Sequence, residues 1–233
     1  MKQIFFTIIL AAITISATAQ TQRITKTVAG GSDLNTVLAD ERFLFDGFKE
    51  SLVFFENSSI TKAMMNYNLL SGEMMFINKE GDTLTLKKTS DITAIAIGEH
   101  FFRYISKHYY EVLVADTDSE TALLIRRYID RGTPAKYGAY GTTSPTSSIG
   151  VVSDMSTGAG TQKLSTSAEF RFQRIEVFSL SRGNKISTAD KKNFLKIFSK
   201  NKVAIESYLK ESPVDFKNEQ DILRLYNYCI ELK

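Results

Sequence analysis

From position 52 to position 129 the sequence repeats one pattern: a short run rich in β-branched and aromatic residues, followed by a turn signal such as Ser71-Gly72. Runs of this kind at intervals of about 8–12 residues are typical of antiparallel strands joined by tight turns. The pattern predicts an α+β fold that is mainly β, with an antiparallel meander arranged as a sandwich or a partial barrel. The predicted strands span residues 52–56, 60–68, 73–78, 83–88, 92–97, 101–105, 109–115 and 121–129.

The last part of the chain, residues 187–233, changes to helical spacing and predicts a C-terminal cap of about three short helices. Ser187 and Asp190 stand three residues apart, as in a capping box, and Asn218 is a suitable N-cap for the last helix. In that helix Ile222 and Cys229 share one apolar face. Helices this short are unstable alone in water, so we expect them to pack on each other or on the sheet.

Between these two parts, residues 132–168 are rich in Gly, Ser and Thr and have no apolar period, which predicts a long loop inside the β-rich domain. A strand returns at 169–180, where Phe170 and Phe172 occupy one phase and Ile175 and Val177 the other. This phase slip predicts a β-bulge near Arg174. The predicted units are a signal at 1–19, a leader and irregular lead-in at 20–50, the β-rich domain at 51–186 and the helical subdomain at 187–233.

The first 19 residues contain the three parts of a secretory signal peptide in the right order. Lys2 provides the positive charge, residues 4–13 form the apolar run, and Ala17-Thr18-Ala19 is a small-x-small cleavage site. The apolar run is shorter than the roughly 20 residues that a membrane-spanning helix needs. We therefore expect export to the periplasm or cell surface, with cleavage near Ala19. An N-terminal anchor helix or a buried strand is the alternative interpretation.

Charge and cysteine content argue against several partners. Lys2 is the only charged residue in the predicted signal, so its removal leaves 28 basic side chains against 26 acidic ones. A nearly neutral chain lacks the strongly basic character of most nucleic-acid-binding domains, and no nucleic-acid partner is predicted. Cys229 is the only cysteine, which excludes an intrachain disulfide, and we expect its thiol to be buried. The mature chain contains no predicted transmembrane segment.

Four segments carry a resemblance to a known family. They are residues 66–76, continued by 81–84, together with 137–144 and 215–219, and they include Tyr67, Gly72, Tyr137 and Asn218. In these segments the chain resembles a family of uncharacterised secreted proteins from Bacteroidetes-type bacteria. The resemblance implies an exported β-rich domain with a helical tail. It implies no activity and no catalytic residue.

The residue types that carry most enzyme chemistry do not converge in this sequence. His100 and His108 lie at opposite ends of a predicted short strand, roughly 17 Å apart, whereas two ligands of one zinc ion lie within about 4 Å. We expect both histidines to be solvated at hairpin tips. No serine stands in a Gly-x-Ser-x-Gly motif, and Asp116 and Asp118 fall in a predicted turn, where aspartate is favoured locally. We therefore predict no catalytic residues, no metal site and no cofactor.

Basic and aromatic residues run along one predicted strand and into the long loop, and they form the candidate partner-contact site. Arg and Tyr are favoured at binding surfaces because they combine area, planarity and hydrogen-bond donors. Adjacent residues of a strand point to opposite faces, so one of the first two arginines must share the face of Leu123 and Ile125. The alternative is a solvated strand edge protected by charge. The candidate residues are Arg126, Arg127, Arg131, Lys136, Tyr137 and Tyr140.

These observations lead to two hypotheses for the function. The first is an exported envelope protein that is not an enzyme and that binds or assembles with a partner, which is an envelope protein or a glycan. The second is a hydrolase that acts on envelope glycans through carboxylates. The absence of a converging set of acid, base, metal ligand and nucleophile in the sequence favours the first.

Overall fold

A computed structural model describes residues 23–28, 32–87, 91–134, 156–157, 160–161 and 168–232. The helices are α1 (Leu34–Val37), α2 (Lys191–Ile197), α3 (Lys202–Glu211) and α4 (Glu219–Glu231), with a 3-10 helix at Ser199–Asn201 between α2 and α3. The strands are β1 (Arg23–Val28), β2 (Lys49–Phe55), β3 (Ile60–Asn68), β4 (Glu73–Ile77), β5 (Thr83–Thr85), β6 (Ile92–Ile97), β7 (His100–Ile105), β8 (His108–Asp116), β9 (Thr121–Pro134), β10 (Ser156–Thr157), β11 (Gly160–Thr161), β12 (Ala168–Arg182) and β13 (Lys185–Thr188).

Eleven of the described strands form one antiparallel sheet in the order β1-β12-β9-β8-β7-β6-β2-β3-β4-β5, and β13 pairs with β12. Two meanders, β2 to β5 and β6 to β9, lie side by side because β2 pairs with β6. The sheet remains open, since no pairing among the described strands joins β1 to β5. The predicted antiparallel meander with a C-terminal helical cap is confirmed.

The N-terminal segment departs from its prediction. The sequence suggests a flexible leader before residue 35, but residues 23–28 form β1, which pairs with β12 from Arg23 opposite Gln173 to Val28 opposite Ala168. The polar residues of this segment alternate with Ile24 and Val28, both of which are buried. Only two apolar residues mark the strand, so its period of two is hidden among polar neighbours.

The predicted long loop is shorter at both ends than residues 132–168. Strand β9 continues to Pro134, β12 begins at Ala168, and β10 pairs with β11 in a separate small sheet. Residues 135–155, 158–159 and 162–167 of the predicted loop lie outside the described residues.

The bulge lies next to its predicted position, but on the opposite strand. The register between β9 and β12 shifts between Arg171 and Gln173, where β9 contributes one extra residue. The phase of β12 that carries Phe170 and Phe172 therefore continues to Phe178 and Leu180, with the polar Arg174 and Glu176 between these two buried pairs. Ile175 and Val177, which the sequence suggests as buried after a slip, are half-buried on the other face.

One face of the sheet, which we call the core face, carries the first hydrophobic core. Cross-strand partners such as Val53 and Ile95, and then Ile95 and Phe102, place their side chains on this face. The core also includes buried residues of β1, β3, β4, β8, β9, β12 and α1. Strands distant in the sheet order share it, so the sheet curls around this face. The backbone N–H of Ile129 in β9 donates to the carbonyl of Leu69, just after β3, at 2.8 Å.

The helical cap packs on the same core face, at the end formed by β8, β9 and β12. Leu123 and Leu180, which are cross-strand partners, contribute to the second core. From the helices this core receives Phe194, Phe198, Ile205, Ile222, Leu225, Tyr226 and Cys229. A smaller third cluster, which includes Ile105 and Leu124, lies on the opposite face. One sheet therefore supports two cores side by side on a single face.

Side-chain caps fix where the helices of the cap begin. Asn218 caps α4 by accepting a hydrogen bond from the backbone N–H of Asp221, as predicted. Asp190, not Ser187, caps α2 and accepts from the N–H of Asn193, because β13 continues the sheet up to Thr188. The capping-box spacing therefore marks the helix start correctly to within three residues.

The docking of β1 can be tested with two substitutions on the same strand. Val28 is fully buried whereas its neighbour Thr27 is exposed on the other face. Val28→Ala is expected to lower the free energy of unfolding by about 1–3 kcal/mol, because it removes buried apolar surface and leaves a cavity. Thr27→Ala is expected to change it by less than about 0.5 kcal/mol. Chemical denaturation measures both values, and equal effects of the two variants would show that β1 does not pack on the core.

Candidate functional site

The two adjacent arginines of the predicted contact site lie on opposite faces of β9, as strand geometry requires. Arg127 shares the core face with Leu123 and Ile125. Arg126 lies on the opposite face, which we call the outer face, and its guanidinium stands over the ring of Tyr128 at 4.7 Å from the centroid. The strand therefore separates the two residues that the sequence groups together.

The remaining predicted contact residues cannot be placed in one site. Arg131 belongs to β9, and Lys136, Tyr137 and Tyr140 lie outside the described residues. Only Arg126 is placed by the structure on the outer face with its side chain described. For the other four residues the contact-site hypothesis stays a prediction.

Arg127 is the centre of a cluster of glutamates between the two cores of the core face. Its guanidinium donates hydrogen bonds to Glu111 in β8, to Glu176 in β12 at 2.9 Å and to Glu219 at the start of α4 at 3.3 Å. The arginine side chain is 15% exposed and that of Glu111 is 8% exposed. One cation therefore neutralises carboxylates from two strands and one helix. This cluster fastens the first turn of α4 to the sheet.

The electrostatics of the cluster follow from burial and charge together. Burial alone would lower the pKa of Arg127, but the charge of Glu111 and the hydrogen bond that Arg127 donates to Glu176 raise it above its ordinary value. Burial raises the pKa of Glu219, and the charge of Arg127 offsets only part of that effect. The guanidinium is therefore charged at neutral pH.

His100 extends this cluster and corrects a prediction. Its Nδ1 lies 2.7 Å from Oε1 of Glu111, and its ring packs against Phe45 with the centroids 4.9 Å apart. It lies beside the β6–β7 turn, as predicted, and its side chain is 41% exposed, but it contacts Glu111 and Phe45 and is not fully solvated. His108 starts the next strand and its ring lies near Tyr110. Among the residues that the structure describes, no group of three or more His, Cys, Asp or Glu side chains could hold a metal ion.

The outer face of β2, β3, β6 and β7 carries a group of apolar side chains, which we call the outer patch. They are Leu52, Phe54, Ile60, Met64, Ala96 and Phe101. Its three most exposed members are Ile60 at 56%, Met64 at 43% and Phe101 at 40%. Leu52 and Phe54 are half-buried beside them. Large apolar side chains grouped on one surface are typical of an interaction site, whereas single exposed ones are common and need no explanation.

The strand register shows that the outer patch is continuous. Leu52 is the cross-strand partner of Ala96, and Ala96 is the partner of Phe101, so these three form one row across three strands. In the neighbouring row Phe54 is the partner of Ile60. The rings of Phe54 and Phe101 are 5.8 Å apart and join the two rows.

One ion pair stands within the outer patch. Lys62 is the cross-strand partner of Leu52, Glu50 is the partner of Met64, and Nζ of Lys62 lies 3.1 Å from Oε1 of Glu50. Both side chains are more than 70% exposed, at 74% and 71%. A pair this exposed contributes little to the stability of the fold, so its role is in what the surface presents to solvent.

The sequence contains a signal for the outer patch, but an ambiguous one. Ile60, Lys62 and Met64 alternate with Thr61, Ala63 and Met65, and both phases of β3 carry apolar residues. A strand with two apolar phases predicts burial on both faces. Only the packing shows that Met65 and Tyr67 are buried while Ile60 and Met64 are exposed.

A cleft of about 530 Å³ lies between the β8–β9 turn and the helical cap. Its lining includes Asp116, Asp118, Arg182, Lys200 and Cys229. Burial raises the pKa of the Cys229 thiol to about 12, so the thiol stays protonated and unreactive at neutral pH. The acids and bases of this cleft balance in charge and favour no single class of ligand.

Asp116 acts within the turn, in agreement with the local role predicted for it. Its carboxylate accepts a hydrogen bond from Oγ of Ser119. That hydroxyl lies 2.8 Å from Oγ1 of Thr121, which in turn lies 3.0 Å from the hydroxyl of the buried Tyr226 in α4. The chain of hydroxyl groups ties the turn to the helical cap, which is a structural role.

Comparisons with known proteins identify no relative of this chain. No family model, no curated protein and no solved structure matches the chain. The resemblance to a family of secreted proteins therefore stays a prediction. Within the described part of the chain, none of the helices has the length and apolar character needed to cross a membrane.

The role of Arg127 can be tested against its neighbour on the opposite face. Arg127→Met is expected to lower the free energy of unfolding at pH 7 by about 2–4 kcal/mol, because it leaves Glu111 buried without a counter-charge. The loss should shrink towards pH 4, because burial raises the pKa of Glu219 and removal of Arg127 takes away the charge that partly offsets this rise, so this carboxyl is neutralised as the pH falls.

The matched control is Arg126→Met, which removes a cation–π contact on the outer face and should cost less than about 1 kcal/mol. Denaturant unfolding of both variants at pH 7 and pH 4 measures these differences. Equal losses for the two variants at both pH values would contradict the assigned role of the cluster.

Proposed function

We propose that the mature chain is an exported envelope protein that is not an enzyme and that acts as a binding or assembly module through its outer patch. The observation that supports this most is the continuous exposure of Ile60, Met64 and Phe101 on one face of a regular sheet. Exposed apolar surface of this kind costs free energy in water, at about 25 cal/mol per Å², and a partner that covers it recovers that free energy.

The chemistry of the outer patch favours a protein partner over a glycan. Its exposed members are aliphatic or thioether side chains with one phenylalanine ring, which pack well against the apolar surface of another protein. A glycan presents many hydroxyl groups, and these need hydrogen-bond partners when they leave water. On β2 and β3 the polar side chains of the outer patch are Lys62 and Glu50, and they already bond to each other.

A carboxylate-dependent hydrolase that acts on envelope glycans is the second candidate. The convergence of Glu111, Glu176 and Glu219 favours it, and so does the raised pKa of Glu219, since a general acid must stay protonated. However, Arg127 binds all three carboxylates and keeps them engaged in ion pairs. This arrangement supports a structural role for the glutamates and ranks the hydrolase below the binding module.

Export makes a direct prediction about the mature N-terminus. When the full-length gene is expressed in a Gram-negative host, the protein in the periplasmic or surface fraction is expected to begin at Gln20, because Ala17-Thr18-Ala19 fits signal peptidase. N-terminal sequencing measures the start. An Ala17→Arg/Ala19→Arg variant should retain the signal, since large charged side chains do not fit the cleavage site. A fractionated protein that still begins at Met1 would contradict the export proposal.

Partner binding predicts that charge in the outer patch abolishes capture. The mature protein, immobilised and exposed to envelope extract, is expected to retain a partner that an Ile60→Glu/Phe101→Glu variant loses, because the new carboxylates would have to be buried without counter-charges. The control is Val203→Glu, since Val203 is 78% exposed on α3, outside the outer patch. Circular dichroism verifies that each variant folds. Equal capture by both variants would show that the outer patch is not the contact.

A further inference from the structure

We propose that the occupant of the outer patch is a second copy of this chain, docked face to face about a two-fold axis. This inference rests on the proposed function and specifies its partner. It follows from the shape and the charge of the outer patch, both of which are complementary to the same surface on another copy.

The charge of the outer patch is self-complementary. On β2 and β3 its two charged members, Lys62 and Glu50, have opposite signs and lie side by side among apolar residues. In a two-fold interface, where residue i of one copy contacts residue j of the other, residue j of the first copy also contacts residue i of the second, so Lys62 of each copy can meet Glu50 of the other. A partner surface of one sign would attract one of these groups and repel the other.

The surface shape of the outer patch is also self-complementary. In one row the small side chain of Ala96 stands between Leu52 and Phe101, so a low point lies between two large side chains. Two sheets that pack face to face interdigitate their side chains across a gap of about 10 Å. A two-fold axis can place a large side chain such as Phe101 of one copy over Ala96 of the other copy, and the same contact then forms a second time with the two copies exchanged.

Within the described part of the chain, the other elements leave this face available. The helical cap and both larger cores lie on the core face, and the third cluster covers the outer face at Ile105 and Leu124 rather than at Ile60 and Met64. A dimer through the outer patch would produce a sandwich of two sheets, each with its helices on the outside. Closed two-fold dimers are the commonest symmetric assembly of soluble proteins.

The decisive experiment reverses one charge of the pair in each of two separate variants. Glu50→Lys gives an outer patch with two positive groups, and Lys62→Glu gives one with two negative groups. Analytical ultracentrifugation of the mature protein should show concentration-dependent dimers for the unaltered chain. Each variant alone should dimerise at least tenfold more weakly, because like charges face each other across the axis. An equimolar mixture of the two variants should recover dimers with a dissociation constant within about threefold of the original.

The mixture distinguishes contact between copies from an effect within one chain. Loss of the Lys62–Glu50 pair inside each copy affects both variants equally, and mixing cannot restore it. Recovery in the mixture therefore requires that the outer patches of two copies meet. Val203→Glu serves as the control for surface charge elsewhere and should dimerise as the unaltered chain does.

Two outcomes would overturn the inference. One is a monomeric unaltered chain at millimolar concentration, and the other is a mixture that associates no better than its separate components. If either occurs while Ile60→Glu/Phe101→Glu still loses capture from envelope extract, the outer patch binds a different protein, and the proposed function stands without self-association. If that capture is also unaffected, both proposals fail.

Discussion

Both larger hydrophobic cores lie against the same face of one sheet, and most features of this protein depend on that constraint. The curled part of the sheet closes over residues such as Ile95 and Phe102, while the helices of the cap close over Leu123 and Leu180. Because all the buried apolar surface of α2, α3 and α4 is used on this face, those helices do not cover the other. Among the residues that the structure describes, no other element covers Ile60, Met64 and Phe101 on the outer face, which is what makes this face the candidate interaction surface.

Charged side chains lie between the two cores, and Arg127 makes this arrangement possible. Carboxylates buried between apolar layers are costly unless a cation pairs with them. Arg127 supplies the fork of donors that satisfies Glu111, Glu176 and Glu219 together. A lysine, with a single charged nitrogen, could not reach carboxylates from two strands and a helix in this geometry. The same contacts give the cluster a structural role, since they connect α4 to the sheet, and they weaken the case for a hydrolase.

Much of the fold could be predicted from the sequence because it depends on local patterns. Turn signals and period-two runs identify strands β2 to β9, and the N-cap at Asn218 marks the start of α4. Strand β1 was missed because only Ile24 and Val28 carry its pattern, and the pairing with β12 is a contact between distant parts of the chain. The candidate site was predicted less well. The sequence pointed to Arg126 and Arg127 as a pair, but strand geometry puts one in an ion cluster and the other on the surface.

By itself, the sequence determined strands β2 to β9, the helical character of the C-terminal cap, the single buried thiol of Cys229 and the expectation of export, since each depends on residues close together in the chain. The tertiary structure decided which face of each strand is buried. Strand β3 has apolar residues in both phases, so no local rule distinguishes Met65, which is buried, from Met64, which is exposed. Which of these two residues is buried depends on the register of β3 with β2 and β4 and on the curl of the sheet, because a side chain is buried only where another part of the chain packs against it. The outer patch exists only as a result of that choice.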